Sequence, residues 1–435
     1  MATPFGPSRP LAGSRPLAGS RLLAGPGLQA GAESYADHLG RLGELPTRRE
    51  RRDLIATIDA AGLLGRGGAG FPVGRKWRSV AERSAGGGAV VLANGAEGEP
   101  LSAKDRTLMA LRPHLVLDGA ELAADAVGAD EIVVYVGQAH VDARRSIDRA
   151  VAERRAARSS GRGADRPIEV RVVGAPDRYV SGEESAAVHF VNAGDARPTT
   201  TPPRPFEAGV HGRPTLVQNV ESLASAALIG RFGDGWYREA GRGPTRGTGL
   251  VTVTGTSRPG VREIELGTTV AEVAAGAGAQ FTDVQAVLLG GYFGGWVRRD
   301  EAWSLALDPA TVREAGRSFG CGVVSVLSHD VCGVRATARI ADYMAGQSAA
   351  QCGPCVFGLR AIADATGRIA GGVAGADDLD RIERWAGQLA GRGACRHPDG
   401  AVGLLKSALE LFGDEFQLHQ RARRCSRIAH PAVAA

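Results

Sequence analysis

Short apolar runs alternate with helical stretches over the first 240 residues, and this alternation constrains the fold more than any other feature. The runs AVVLAN (89–94), EIVVYVG (131–137) and IEVRVVG (168–174) are short and rich in Val and Ile, as is typical of buried strands. Stretches such as VDARRSIDRAVAERRAARSS lie between them. Alternating strands and helices predict an α/β fold with a parallel sheet, which we place at residues 31–240.

Two further units follow this region. GRGPTRGTG (241–249) is a linker by composition, and the strand, strand, short helix, strand pattern after it predicts a compact β-grasp-like domain at 247–325. From Val334 the chain has helical periodicity, so we predict a helical bundle at 334–425 that carries the cysteines.

The first 30 residues have a composition of their own. They contain SRPLAG, SRPLAG and SRLLAG in succession, a period of six residues that fits neither a helix nor a strand. We therefore predict a disordered or loosely docked tail at residues 1–30.

Composition and charge exclude several classes of protein. No apolar run approaches the about 18 residues of a membrane-spanning helix. The net charge of +5 is spread along the chain and only 5% of residues are aromatic, which argues against a nucleic-acid partner. Six cysteines without an apolar signal segment indicate a reducing, cytoplasmic setting.

Three of the cysteines have the spacing of a metal or redox site. Cys352 and Cys355 form a C-x-x-C pair in QSAAQCGPCV, and Cys395 follows forty residues later. Tetrahedral zinc and four-iron clusters both take four ligands. The spacing alone therefore leaves open a cluster site, a damaged site or no site.

A glycine-dense loop, GRGGAGFPVGRKW (65–77), is the first candidate binding element. Its glycines satisfy G-x-G-x-x-G, but the loop follows a helix, and we expect FPVG to break any helix after it, so it is not a standard dinucleotide fingerprint. The glycines permit close backbone approach to an anion, and Arg66 and Lys76 add positive charge suited to phosphate. A flexible surface turn is the alternative.

Two polar loops follow predicted strands, where α/β sheets place ligands. NGAEGEP offers Asn94, Glu97 and Glu99, and EGEPLSAKDR as a whole is predicted as loop. In YVSGEES, Ser181 and Glu184 fit a capping box at the start of a helix. A solvated turn and a plain helix cap are the alternatives to ligand binding.

Taken in order, these motifs resemble those of one family. They are GRGGAGFPVGRKW (65–77), NGAEGEP with AKDR (94–106), YVSGEES (179–185), GRPTLVQNVESL (212–223), and CGPC with the later Cys395. The chain resembles, from about residue 45 to 415, the flavoprotein subunit of respiratory NADH:quinone oxidoreductase. Related subunits occur in NAD-reducing hydrogenases and NAD-linked formate dehydrogenases.

The resemblance implies a fold and an activity. The fold would comprise a Rossmann-like FMN domain, a β-grasp domain of the soluble-ligand-binding type and a helical domain with a 4Fe-4S cluster. Hydride would pass from NADH to FMN, and single electrons would pass through the cluster to a partner such as a ferredoxin or an iron–sulfur subunit. Partners could also associate the chain with a membrane complex.

The resemblance also implies site residues. The FMN phosphate and ring region would be held by Gly65, Gly67, Gly68 and Lys76, and the flavin pocket would be completed by Asn94, Glu97, Gly182, Glu183 and Asn219. The NADH site would be lined by Phe71, Glu99, Tyr179 and Glu184, and its carboxylates would favour NADH over NADPH. The cluster ligands would be Cys352, Cys355 and Cys395.

The chain departs from the family pattern around the nucleotides. Ala96 stands where the family has a carboxylate, and Gln218 where it has an asparagine. At the family's K-P-P-F stretch, Thr201 and Arg204 replace the lysine and a phenylalanine that stacks on adenine.

The cluster motif departs further. Ala349 occupies the position of the first cysteine ligand and Val356 that of an arginine. A four-iron cluster with a non-cysteine ligand such as water, a three-iron cluster and an empty site all remain open. Cys321, Cys332 and Cys425 match no ligand of the family and are expected to be incidental thiols, although Cys332 could complete the set. His397 and Asp399 are further possible ligands, but a surface loop is expected there.

Two other functions compete with the NADH-oxidising flavoprotein. One is a redox-inactive scaffold that has lost the cluster. The other is a flavoprotein that accepts electrons from a different nicotinamide or a deazaflavin carrier.

Overall fold

The computed structural model describes residues 20–27, 31–46, 53–84, 88–159 and 168–426. In chain order, its first part comprises α1 (Tyr35–Leu42), α2 (Leu54–Ala61), α3 (Val73–Arg83), β1 (Ala89–Gly95), α4 (Lys104–Leu111), α5 (Pro113–Val127), β2 (Ala129–Gly137), α6 (Val141–Ser159), β3 (Glu169–Ala175), α7 (Glu184–Ala193), β4 (Thr215–Asn219) and α8 (Val220–Glu239).

The first sheet is parallel throughout, with strand order β3-β2-β1-β4. Its central strand β1 is buried on both faces, as its run of Val and Leu requires, and helices cover the sheet. The predicted α/β fold is confirmed. The strand β4 was not predicted, because its five residues lie within a stretch that was singled out only as a motif.

The second sheet is mixed. It is built from β5 (Thr248–Thr254), β6 (Gly260–Glu265), α9 (Val270–Gly276), β7 (Val284–Leu289), β8 (Gly295–Arg298), α10 (Arg299–Ser304), α11 (Pro309–Glu314) and β9 (Val323–Ser328). The order is β6-β5-β9-β7-β8, and only β5 and β9 pair in parallel. The predicted boundary at residue 325 falls inside β9, which lies at the centre of this sheet.

The third part is helical. It comprises α12 (Gly333–Gly346), a π-helical turn (Pro354–Leu359) that runs into α13 (Arg360–Gly371), α14 (Asp378–Leu389) and α15 (His397–Ala422). These helices share a core with the back of the second sheet, in which Ile340, Leu405 and Phe416 are fully buried. Within the described ranges, no helix is both long enough and apolar enough to cross a membrane. The proposed domain boundaries stay predictions.

The third hexad of the N-terminal repeat is docked, so residues 20–27 adopt the docked alternative of the prediction rather than the disordered one. The buried carboxylate of Glu263 accepts hydrogen bonds from the backbone N–H groups of Arg21, Leu22 and Leu23, each at 2.9 Å. The first two hexads have proline where the third has Leu22, and proline has no N–H to donate. The rest of the predicted tail, 1–19 and 28–30, lies outside the described residues.

Two helices begin where loops were predicted. α3 starts at Val73, directly after Pro72. Proline is tolerated there, because the N–H groups at the start of a helix have no partner within the helix. α4 starts at Lys104 within the predicted polar loop, and both Lys104 and Asp105 are buried.

A buried ion-pair network explains how α4 carries these charges. The Lys104 ammonium lies 2.7 Å from the Asp105 carboxylate and 2.8 Å from that of Glu221 on α8. Asn219, at the end of β4, donates to the other oxygen of Asp105 at 2.8 Å. Burial raises the pKa of Asp105 to about 7, although Lys104 favours its charged form. The network ties α4 and α8 to one edge of the first sheet.

We predict that Lys104→Met destabilises the chain by about 3–5 kcal/mol, because it leaves buried carboxylates without their cation. The loss is expected to grow with pH. Asp105 has a higher pKa in the folded chain than in the unfolded chain, so its contribution to stability falls as pH rises toward 7, and removing Lys104 steepens that fall.

Urea unfolding at about pH 6 and about pH 8 measures both effects. The control is Lys406→Met on α15, which removes an exposed lysine and is expected to change stability by less than about 0.5 kcal/mol. Equal stability of Lys104→Met and the control would contradict the network.

Candidate functional site

The glycine loop is a closed loop between α2 and α3. The Gly65 N–H donates to the Phe71 carbonyl and the Val73 N–H to the Leu63 carbonyl, both at 2.9 Å. Gly68 has a φ of 110°, a left-handed conformation that favours glycine. These contacts hold the loop as a defined backbone surface rather than a flexible turn.

A cavity of about 530 Å³ lies against this loop, within the range of small-molecule and cofactor sites. It brings together all thirteen residues predicted for FMN and NADH: Gly65, Gly67, Gly68, Phe71, Lys76, Asn94, Glu97, Glu99, Tyr179, Gly182, Glu183, Glu184 and Asn219. Cys395, a predicted cluster ligand, lines the same cavity. Which of these residues contacts a cofactor stays a prediction.

Two asparagines form the carboxyl edge of the parallel sheet beside the cavity. Asn94 on β1 and Asn219 on β4 are paired in register. The Asn94 side chain donates to the Gly182 carbonyl at 2.8 Å. The side-chain oxygen of Asn219 caps α8 by accepting the Glu221 N–H at 2.9 Å. The edge that receives ligands in α/β sheets is thus held by its own hydrogen bonds.

Glycines on the cavity wall allow backbone segments to approach closely. A Cβ atom on Gly98 would lie 2.3 Å from the Tyr179 carbonyl oxygen, and one on Gly182 would lie 2.7 Å from that of Ala96. These segments form a cradle that side chains would fill. The cradle, the polar edge and the cavity size fit a flavin nucleotide.

Glu99 is buried where the first and second sheets meet. Its carboxylate accepts the Tyr292 N–H at 2.7 Å, the Tyr179 hydroxyl at 3.0 Å and the Leu101 N–H at 3.1 Å. Burial raises the pKa of Glu99 to about 7, although these donors favour the charged form. A Cβ on Gly291 would lie 2.7 Å from the carboxylate, so glycine is required at that turn.

Glu97 is held as a carboxylate. Burial opposes its ionisation, yet Arg106 and Lys104 hold the pKa of Glu97 below its usual range. Its oxygens also accept the Ser102 hydroxyl at 2.5 Å and the Asp105 N–H at 3.2 Å.

The predicted capping box at Ser181 is wrong. The cap of α7 is Glu183, whose carboxylate accepts the N–H groups of Ser185 at 3.0 Å and Ala186 at 2.9 Å. A four-residue 3-10 turn (Tyr179–Gly182) precedes the cap, so α7 begins later than the pattern suggested. The Ser181 hydroxyl is buried without a hydrogen-bond partner.

Lys76 and Glu184 pair with each other at the cavity. Their Nζ and carboxylate oxygen are 2.9 Å apart, and both side chains are about one-third exposed. The cation predicted for a phosphate and the carboxylate predicted for the nicotinamide nucleotide are therefore neighbours. An exposed pair of this kind contributes little stability, so both groups are available to ligands.

The three predicted cluster thiols converge. Burial and the neighbouring Cys352 and Cys395 thiols raise the pKa of Cys355 to about 12. Cys355 lies on the π-helical turn, a feature that is frequent at functional sites. Ala349, which stands at the position of the missing cysteine, is buried and offers only a methyl group. The donors present fit three ligand positions of a four-iron cluster, and the fourth has no thiolate.

The other candidate ligands make contacts of their own. The Cys332 sulfur lies 3.5 Å from the His419 ring, in a different cluster. Asp399 accepts the Gly391 N–H at 2.7 Å and pairs with Arg396 at 2.9 Å. His397 is buried at the start of α15, not in a surface loop as expected, and its Nε2 lies 2.8 Å from the Met344 carbonyl.

Several cavity residues were missed by sequence reasoning. The second sheet contributes Gly290, Phe293 and Cys321, and α15 contributes His397. The Phe293 ring lies 4.9 Å from that of Tyr179, and the His397 ring 5.6 Å from Tyr179. The glycine pairs of GGYFGG (290–295) are the one signal in the sequence for a close backbone approach at this place.

Thr201 and Arg204, which replace the family's lysine and phenylalanine, are exposed and do not line the cavity.

Two family models match parts of the chain. The family model described as the Nuo51 FMN-binding domain matches residues 58–227. The model described as the NADH-ubiquinone oxidoreductase-F iron-sulfur binding region matches residues 335–419.

Solved structures and curated relatives extend the match over most of the chain. The NAD⁺-reducing NiFe-hydrogenase in its air-oxidized state has a TM-score of 0.77 at 29% identity over 87% of this chain, which spans only 65% of that hydrogenase chain. The F subunit of NADH-quinone oxidoreductase from Mycobacterium tuberculosis (strain CDC 1551 / Oshkosh) is 31% identical, covering 86% of both chains. The corresponding F 2 subunit from Rhizobium meliloti (strain 1021) is 32% identical over 383 residues, covering 86% of this chain and 90% of the relative. The chain therefore belongs to the family of the NADH-quinone oxidoreductase F subunit.

Proposed function

We propose that the chain is an NADH-oxidising flavoprotein subunit, which takes hydride from NADH at FMN and passes electrons through an iron–sulfur cluster to a partner protein. One observation carries this proposal: the glycine loop, the polar edge of the sheet and Cys395 line the same cavity. A flavin there would be adjacent to a thiolate of the cluster site.

Residues of the first part of the chain would hold the flavin. The loop at Gly65–Phe71 and the Lys76 ammonium would receive the FMN phosphate, since backbone N–H groups and a lysine suit phosphate. Asn94 and Asn219 offer donors and acceptors at the sheet edge. Bound FMN supplies the chemistry, because it accepts a hydride and releases single electrons.

The NADH site would lie where the Glu99 and Glu184 carboxylates meet the Phe71 and Tyr179 rings. Phe71 lines the cavity with 48% of its surface exposed, so one face is available for stacking on a nucleotide ring. Carboxylates accept hydrogen bonds from ribose hydroxyls and repel a 2′-phosphate. The site therefore favours NADH over NADPH.

Cys352, Cys355 and Cys395 would hold the cluster. The iron next to Ala349 would lack a thiolate and would take a non-cysteine ligand such as water. The hydroxyl of Ser348, the residue before Ala349, hydrogen-bonds to Cys355. One thiolate fewer makes the site less negative, which favours a higher reduction potential than four thiolates give.

The electron acceptor would be an iron–sulfur subunit or a ferredoxin. The relatives are named as subunits of NADH-quinone oxidoreductase, so a partner chain is part of the proposal. We also propose a reducing, cytoplasmic compartment, because six cysteines in 435 residues are too few for a disulfide framework. We propose that residues 31–240 bind FMN and NADH, that residues 247–325 form a β-grasp domain and that residues 334–425 hold the cluster.

Anaerobic titration with NADH tests the function. We expect chain reconstituted with FMN and iron to show flavin absorbance that NADH bleaches. Flavin that a reduced deazaflavin bleaches but NADH does not would favour the alternative donor. A colourless protein after reconstitution would favour the scaffold and overturn the proposal.

Glu99→Gln separates NADH binding from flavin binding. We expect the KM for NADH, with ferricyanide as acceptor, to rise about 10–100-fold, because a charged acceptor is lost; the FMN content of the variant reports whether the contacts around residue 99 still hold the cavity together. Glu99 ionises with a pKa of about 7 in the free chain, so kcat/KM of the wild type should rise with pH through that region. The variant should lack this rise.

The control for this experiment is Glu410→Gln, at a position on α15 outside the cavity. It should retain both the wild-type KM and the pH dependence. A Glu99→Gln enzyme with wild-type KM and pH profile would remove Glu99 from the NADH site.

Two cysteine variants test the cluster site. Cys352→Ser should sharply lower bound iron and leave FMN in place. Ala349→Cys should lower the reduction potential of the cluster and slow its loss to a chelator, since it supplies a fourth thiolate.

Ala350→Cys is the matched control for Ala349→Cys, because residue 350 is exposed whereas residue 349 is buried. It should leave both properties unchanged. Equal iron in Cys352→Ser and wild type, or an Ala349→Cys potential at or above that of wild type, would contradict the assignment.

A further inference from the structure

A second group of metal-ligating side chains lies in the helical part of the chain. It consists of Cys332, Glu415, His419 and Cys425, whose ligand atoms all lie within 4.8 Å of one another. Cys332 is buried and His419 nearly fully so, while Cys425 and Glu415 are half-buried. None of the four lines the flavin cavity or belongs to the predicted iron–sulfur ligands.

Three distances within this group match the edges of a tetrahedral zinc site, and all its ligand atoms lie within 4.8 Å of one another. Zn–S bonds of about 2.3 Å and Zn–N or Zn–O bonds of about 2.0 Å give tetrahedron edges of about 3.3 Å between N and O and about 3.5 Å between S and either. The His419 Nε2 lies 3.2 Å from a Glu415 oxygen. The Cys332 sulfur lies 3.5 Å from that nitrogen, and the Cys425 sulfur 3.5 Å from that oxygen.

The fold brings these donors together from separate segments. Glu415 and His419 are four residues apart on α15 and therefore share one face. Arg423 ends the helix with a left-handed φ of 52°, which is unusual for a residue other than glycine, and the chain turns back so that Cys425 faces Glu415. Cys332 is the residue before the first turn of α12.

Neighbouring groups orient the ligands. The His419 Nδ1 lies 3.3 Å from the Ile369 carbonyl, an arrangement that places the proton on Nδ1 and leaves the Nε2 lone pair for a metal. The Ser426 N–H and hydroxyl donate to the two Glu415 oxygens at 3.0 and 2.5 Å. Backbone N–H groups of Val334 and Arg335 hydrogen-bond to the Cys332 sulfur and partly offset burial, which raises the pKa of this thiol to about 11.

We propose that Cys332, Glu415, His419 and Cys425 bind one Zn²⁺ ion as a structural site. Binding displaces one proton from each thiol, so that two thiolates, one carboxylate and one neutral imidazole hold the ion. Four protein ligands leave no open position, which is the pattern of structural rather than catalytic zinc. The ion joins the segment after α15 to the start of α12, and so braces the helices that carry the predicted cluster thiols.

Zinc and iron measured together test this site in the full chain. We expect anaerobically purified wild type, after addition of Zn²⁺ and gel filtration, to hold about one zinc per chain. Zinc K-edge X-ray absorption should show two sulfur neighbours at about 2.3 Å and two nitrogen or oxygen neighbours at about 2.0 Å. Four sulfur neighbours, or none, would overturn the ligand assignment.

A pair of serine variants supplies a matched control. Cys425→Ser should bind added Zn²⁺ at least about tenfold more weakly, since loss of even an outer partner costs that much, and keep its FMN and iron. Cys352→Ser should show the opposite pattern, with lowered iron and unchanged zinc. FMN content reports that each variant is folded.

Three further results would overturn the proposal. The first is no zinc in wild type exposed to Zn²⁺. The second is equal zinc affinity of Cys425→Ser and wild type. The third is a Cys332–Cys425 disulfide in the mass spectrum of protein kept anaerobic, because the two sulfur atoms would then be bonded to each other and could not both bind zinc as thiolates. If Cys425→Ser loses its FMN, the zinc K-edge X-ray absorption spectrum of the wild type still tests the ligand assignment.

Discussion

One buried carboxylate holds the three parts of the chain together around the cavity. Glu99 follows strand β1 of the first sheet, and its carboxylate accepts the Tyr292 N–H from the second sheet at 2.7 Å. It also accepts the Tyr179 hydroxyl, and the Tyr179 N–H in turn donates to the Gln347 side chain at the end of α12, at 2.9 Å. Because Gly291 has no side chain, the second sheet can approach this carboxylate. The walls of the cavity follow from these contacts.

This junction explains why a flavin site and a cluster site can be neighbours in one chain. The parallel sheet delivers its loops to the carboxyl edge, as such sheets do, and the helical part brings Cys395 to the same space. Electron transfer needs proximity more than any particular bond between the centres. The protein's task is then to position the groups and to exclude water, while the cofactors supply the redox chemistry.

Local patterns predicted much of this arrangement and missed what depends on distant residues. Strand periodicity identified β1, β2 and β3, and the motif residues at strand ends proved to line one cavity. The role of Phe293 was invisible, because it depends on a contact with Tyr179 from more than a hundred residues earlier. Lys104 was assigned to a loop, since nothing near it in sequence shows that Glu221 neutralises it. Likewise, the spacing of Cys332, His419 and Cys425 matches no familiar metal motif, and only folding brings them together.

A crystal structure of the chain grown with FMN tests the central claim most directly. The account predicts flavin density in the cavity between the glycine loop and Glu99, with the phosphate group at the loop and Lys76. It would be contradicted by FMN bound elsewhere on the chain, or by a cavity filled with side chains while FMN remains bound in solution.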